Sequence, residues 1–163
     1  MAAPTAPSLS HLFTQLTGRA VAFAQIKDYA ETEIPQVYGV YEVFPDHAIV
    51  VVKADLPLLG SFAGALIGLP ASEVKAQLRI VPMEESLRDA IYEVLNIASS
   101  TIAPLSRTTL SKVATDLASL DAAASSTLAK PDHKYCFDVT VNGYDGGKFA
   151  VSLQLAPVPN EVS

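Results

Sequence analysis

Residues Met83–Leu105 read MEESLRDAIYEVLNIASSTIAPL, with apolar positions recurring at helical spacing. Successive helical residues rotate by roughly 100°, which gathers Leu87, Ile91, Val94, Leu95, Ala98, Ile102 and Leu105 on one face. Asp89, Glu93, Asn96 and Ser100 point close to the opposite direction. The apolar seam predicts a helix laid on a core, and core packing cannot explain the polar row. Tyr92 and Ile97 flank that row, and apolar groups beside exposed polar ones mark a partner surface. Pro82 precedes the segment, and the acidic Glu84 and Glu85 suit the positive end of a helix dipole.

Outward from this helix the chain alternates between strand and helix patterns. Upstream, Leu9–Leu16 has helical spacing with Gly18 marking its end, and Ala20–Gln25 reads as a short strand. Val37–Phe44 and Ala48–Lys53 are rich in β-branched and aromatic residues and flank Pro45-Asp46-His47, which predicts a hairpin. Asp55 is placed to cap a helix running to about Leu69. The glycines of that helix, Gly60, Gly64 and Gly68, suit a helix lying flat on a sheet. Ala71–Arg79 fits either a short helix or an extended segment. Downstream, Arg107–Val113 alternates as a strand, and Leu117–Ala129 is helical in composition. Tyr135–Val141 and Lys148–Leu155 flank the turn sequence Asn142–Gly147. Hairpins at both ends around helices predict an α+β fold, with an antiparallel or mixed sheet packed with two long helices.

Length and composition narrow the function classes. The 163 residues suffice for one domain with a full core, expected over 9–156, between loose tails at 1–8 and 157–163. Half the residues are apolar, which opposes disorder, yet no run reaches the roughly 20 residues of a membrane span. The N-terminus lacks the basic and apolar regions of a secretory signal. A net charge of −6 without a Lys/Arg cluster argues against a nucleic-acid partner. The single Cys136, in the alternating CFDVTV, reads as a buried structural thiol, consistent with a reducing cytoplasm. His11, His47 and His133 share no ligand spacing, so no metal site is expected. The glycine-rich turn precedes no helix and is no phosphate cradle. Ser61, Ser86 and Ser99 lack the surroundings of a hydrolase nucleophile.

The spacing Asp89-x-x-x-Glu93-x-x-Asn96 resembles the helix motif of the CheC/CheX chemotaxis phosphatases. The resemblance extends more loosely over Val37–Leu155 in the order of elements. It takes in the strand pair, the small-residue helix ending GALIGLP (Gly64–Pro70), the motif helix and the closing hairpin. One Glu-x-x-Asn helix and no second copy is similar to the single-site CheX-like members rather than the two-site CheC-like ones. In such proteins the Glu and Asn enter the active site of a phosphorylated receiver domain of CheY type.

The resemblance implies catalytic roles for Glu93 and Asn96, with Asp89, Tyr92, Ile97 and Ser100 as partner-binding residues. It implies no cofactor of the chain's own, because the Mg2+ belongs to the receiver. A homodimer through sheet edges is a further implied association. Two departures stand out. Ser99 and Ser100 occupy the region after the Asn where several members carry Gly, and the Pro many members carry further on comes late, at Pro131. A catalytically weak adaptor of the same fold is therefore the rival expectation. An ordinary solvated helix face would carry Asp89 and Glu93 equally well, although Asn is a weak helix former in mid-helix.

Overall fold

The β-rich runs around Pro45-Asp46-His47 form β2 (Gln36–Phe44) and β3 (Ala48–Asp55), paired antiparallel with Val40 opposite Val51. They sit within a computed structural model that describes residues 3–29, 32–104 and 106–155. Helix α1 (Ala6–Thr17) leads into β1 (Val21–Ile26). After β3 come α2 (Leu56–Ile67), α3 (Ala71–Leu78), α4 (Glu85–Ile97), α5 (Ser99–Ile102) and β4 (Arg107–Ala114). A 3-10 turn (Leu117–Ser119), α6 (Ala122–Ala129), β5 (His133–Val141) and β6 (Tyr144–Leu155) complete the chain. The six strands pair antiparallel in the order β1-β5-β6-β3-β2-β4. The α+β class with an antiparallel sheet is as expected.

Alternation along the strands creates two unlike faces. Val50, Val52, Phe137, Phe149 and Val151 point to one side, where α1, α2 and α4 cover them in a single core. Aromatic rings fill its centre: Phe13 of α1 stacks on Phe62 of α2 at 4.3 Å, and Phe23 meets Phe149 edge-on at 5.4 Å. Tyr38, Val40 and Val51 point to the other side, beneath α6.

Several boundaries differ from the sequence reading, each for a local reason. The tail expected over 1–8 is shorter, because Thr5 accepts the Ser8 N–H at 3.2 Å and caps α1 with Pro7 in its first turn. The ambiguous Ala71–Arg79 segment is helical through Leu78. The helix expected over Leu117–Ala129 splits, because Asp116 caps the 3-10 turn and Asp121 separately caps α6. The closing turn is only Asn142-Gly143, with Gly143 at φ +82°, and Tyr144–Gly147 joins β6. That hairpin lies inside the sheet, so the outer strands are β1 and β4. The C-terminal tail expected over 157–163 and the apolar position Leu105 lie outside the described residues.

The outer margin of β1 is occupied. Thr14 Oγ1 accepts the Val21 N–H at 3.1 Å and donates to the Val21 carbonyl at 3.2 Å, while Ser10 Oγ accepts the Phe23 N–H at 2.9 Å. Side chains of α1 thus replace a neighbouring strand. At β4 the ladder is irregular instead, with a register shift at Val40/Tyr41 of its partner strand.

Asp55 does not cap α2 through its side chain. It is only 4% exposed, and its carboxylate turns to the outer face of the sheet. There Oδ1 accepts from the Tyr29 hydroxyl at 2.8 Å and from Gln36 Nε2 at 2.7 Å, while Oδ2 accepts the Lys148 N–H at 2.8 Å. The Gln36 carboxamide oxygen is a second acceptor beside the same Tyr29 hydroxyl and shares its single proton with Asp55. Burial, and then the neighbouring Asp55, push the Tyr29 hydroxyl well above its ordinary pKa.

The glycines of α2 face α3 rather than the sheet. A Cβ on Gly60 would stand 2.8 Å from Leu78 Cδ1, and one on Gly64 would run into Val74 Cγ2. Gly68 ends the helix at φ +80°. Gly64→Ala gains up to about 1 kcal/mol of helix propensity. It also overpacks a contact with buried Val74, which costs about 1–3 kcal/mol. Urea denaturation is expected to show net destabilisation. A more stable variant would show that α3 yields freely.

Candidate functional site

Helix α4 is held from three directions. Leu87, Val94 and Leu95 are fully buried or nearly so, with Ala90 and Ile91 beside them, against α2 and β4. Each buried aliphatic side chain of this kind stabilises by about 1.5–3 kcal/mol, so the seam fixes the rotation of the helix. Glu85 sits in its first turn. The third support is a hydrogen bond that the sequence does not announce. The helical ladder reaches the Ala98 N–H, which donates to the Val94 carbonyl at 3.0 Å. The next carbonyl, that of Leu95, accepts instead from the fully buried Tyr41 hydroxyl at 2.6 Å.

Tyr41 therefore ties the floor of the sheet to the C-terminal turn of α4. Burial raises its pKa well above the ordinary phenol, so it stays a neutral donor. Gly39, two residues earlier on the same strand face, leaves room for the Leu95 side chain; a Cβ there would lie 3.4 Å from Leu95 Cδ2. The single helix expected through Leu105 is interrupted at Ala98, and α5 continues the buried seam with Ile102.

With the seam locked, the polar row faces outward. Asp89, Glu93, Asn96 and Ser100 are all exposed. At roughly 100° per residue, the first three fall within about 60° of one another around α4. Tyr92 is 47% exposed on one flank, and Ile97 is half-buried on the other. Among the described residues, no hydrogen bond or ion pair engages the side chains of Asp89, Glu93 or Asn96. Ser100 donates to the Ile97 carbonyl at 3.4 Å. All six residues singled out in the sequence thus share one side of α4–α5. Tyr41, the residue that holds their helix end, had no signal beyond its place on a core-facing strand position.

The chemistry available is limited and clear. Glu93 offers a carboxylate, and Asn96 one turn away offers a neutral donor and acceptor together. Glu85, Asp89 and Glu93 make the face acidic, suited to a cationic group on a partner. No group of three or more His, Cys, Asp or Glu side chains among the described residues could hold a metal ion.

Comparison with known proteins sets this arrangement in a fold. No family model matches the chain, and no curated protein matches it. Solved structures do. The FliM of a FliG–FliM complex from H. pylori matches with a TM-score of 0.59 at 12% identity, over 90% of this chain and 84% of that one. FliY of Thermotoga maritima matches at 0.58 and 14% identity, over 91% and 83%. The chemotaxis protein CheX of Vibrio vulnificus matches at 0.57 and 9% identity, over 91% and 95%. The chain has the CheX/FliM fold. That architecture was the one expected from the motif helix and the order of elements. Within this CheX/FliM fold, α4 is the helix that carries the Glu-x-x-Asn pair.

Tyr41→Phe is expected to destabilise the protein by about 1–3 kcal/mol, because the Leu95 carbonyl is left buried without its donor. Amide exchange should quicken at residues 98–102 more than elsewhere. Exchange unchanged there would mean that the hydroxyl does not anchor the helix end.

Proposed function

We propose that the α4 face docks on the phosphorylated site of a receiver domain and speeds hydrolysis of its aspartyl phosphate. The observation that carries this reading is the exposure of Glu93 and Asn96, one turn apart, on a helix whose other side is immobilised in the core. The likeness to CheX supports it at the level of fold.

In the proposed reaction, water attacks phosphorus in line with the leaving aspartyl oxygen. The P–O bond to the carboxylate breaks and inorganic phosphate departs. The receiver's own metal ion and Lys neutralise charge on the phosphoryl oxygens, so placement of the water remains as the task for this chain. Asn96 suits it, because a carboxamide orients a water without adding negative charge near phosphate. Glu93 pairs with the receiver's Lys and sets the helix in register, and Asp89 extends that contact. Tyr92 and Ile97 supply apolar contact at the rim. On this reading the chain works in the cytoplasm and holds no cofactor of its own. Among the described residues no helix is long and apolar enough to cross a membrane.

A second reading has its own support. The H. pylori FliM of this fold is part of a complex with FliG, and Ser99 and Ser100 bring bulk next to Asn96. The chain would then be an adaptor that binds through the same face without hydrolysis. One experiment separates the two. A panel of phosphorylated receiver domains from the same source is mixed with the protein, and loss of phosphate and binding are followed together. Acceleration with at least one receiver is expected. Binding without acceleration would favour the adaptor, and neither with any receiver would remove the phosphatase reading and leave only an adaptor for another kind of partner.

A further inference from the structure

The sheet face turned away from α4 is covered in two pieces. At one end Tyr29 packs with Ile26, Cys136 and Ala150. At the other, α6 and its approach bury Tyr38, Val40, Val51 and Ala114. Between the two covers lies a cavity of about 360 Å³, within the usual range for small-molecule sites. Leu117, Leu128 and Ala129 form an apolar wall over it, and Lys53, Ala150 and Ser152 line its floor.

Two observations point to a ligand. Ser152 is 2% exposed, yet among the described residues no hydrogen bond engages its hydroxyl. The oxygen is not enclosed by protein but opens into the cavity, where it is free to bond a bound group. Directly across the ladder from Ser152 stands Lys134, also in the lining. Cross-strand neighbours lie about 4.5–5.5 Å apart at Cβ, so one bound group can meet both side chains. Lys53 enters from the strand on the other side of β6, with its ammonium 4.7 Å above the Tyr29 ring.

Among the described residues Lys134 has one acidic neighbour, and that pair is a solvated one. Lys134 lies 3.7 Å from Asp28, but the two side chains are 39% and 82% exposed. Such a solvated pair is weak and readily exchanged.

We propose that this cavity binds a small monocarboxylate with an apolar body. The carboxylate accepts from the Lys134 ammonium and the Ser152 hydroxyl, and the apolar body lies under Leu117 and Leu128. A bare anion would leave the apolar wall unused, and a neutral amphiphile would leave Lys134 unused. The site is independent of the α4 face, on the far side of the sheet.

Octanoate titrated into the full-length protein, read by amide chemical shifts, tests this. Saturable binding at about 1 mM or tighter is expected, with shifts centred on residues 134, 150–152 and 125–129. Acetate and 1-octanol should each bind at least about tenfold more weakly. Lys134→Gln should weaken octanoate about tenfold by removing a charge-assisted contact while leaving octanol unchanged. Ala129→Trp, an exposed position at the cavity wall, should abolish binding without loss of fold. No saturation, shifts elsewhere, or octanoate affinity unaltered by either substitution would overturn the proposal.

Discussion

Asn96→Ala is expected to slow receiver dephosphorylation by about tenfold to a thousandfold, which corresponds to roughly 1.4–4 kcal/mol of barrier. Affinity for the phosphorylated receiver should stay within a few-fold, because the amide acts on water rather than on the docked surface. Glu93→Ala should behave differently, weakening binding together with rate. The proposed division of labour makes this contrast a sharper test than either value alone. Neither substitution should disturb folding: both side chains are exposed, and changes at such positions usually stay within about 0.5 kcal/mol. Single-turnover rates at saturating protein isolate the chemical step. Equal acceleration by wild type and Asn96→Ala would strike Asn96 from the mechanism.

The largest effect on stability is expected at a residue away from the α4 face. Asp55→Ala removes the acceptor for Tyr29, Gln36 and the Lys148 N–H in a site that is 4% exposed. Hydrogen bonds to charged groups contribute about 1.5–3 kcal/mol each, and the Lys148 N–H is left without its acceptor while Tyr29 and Gln36 keep other partners. A loss of about 3–5 kcal/mol is expected, a large share of the 5–15 kcal/mol by which a domain is usually stable. Asp55→Asn keeps one acceptor oxygen but turns an NH2 toward one of the former donors, so it should fall between wild type and Ala. Urea unfolding measures both. A cost below about 1 kcal/mol for Asp55→Ala would mean that water replaces the carboxylate without penalty.

Periodicity made some of this legible and left the rest hidden. The seam of α4 could be read directly, since Leu87, Ile91, Val94 and Leu95 repeat at helical spacing and nothing nearby competes. The β2–β3 hairpin was equally plain, because β-branched residues flank a Pro-Asp-His turn. The start of α1 was available too: Thr5 followed by Pro7 is a capping signal. So was the split at Leu120, announced by Asp116 and Asp121. Other features leave no local trace. Asp55 looked like a cap for α2 because its real partners lie up to 93 residues away. The break at Ala98 falls among weak helix formers, Asn96, Ser99, Ser100 and Thr101, but its exact place is where the Tyr41 hydroxyl takes the Leu95 carbonyl. The interior place of the β5–β6 hairpin depends on sheet order, which pairing decides and composition does not. For the site, the sequence could set Glu93 and Asn96 on one side of a rod; that the side stands open to solvent depended on what packed against the other.

The hydroxyls of Ser10 and Thr14 give the sheet a finished border beside β1. Open-ended polymers that grow by adding strands require two unfilled borders on every subunit, one to give and one to receive. Here the first half of one is already filled from within the same molecule, which favours reciprocal joining at β4 that ends with two copies. Fibre growth by this route would first have to peel α1 away from its own strand.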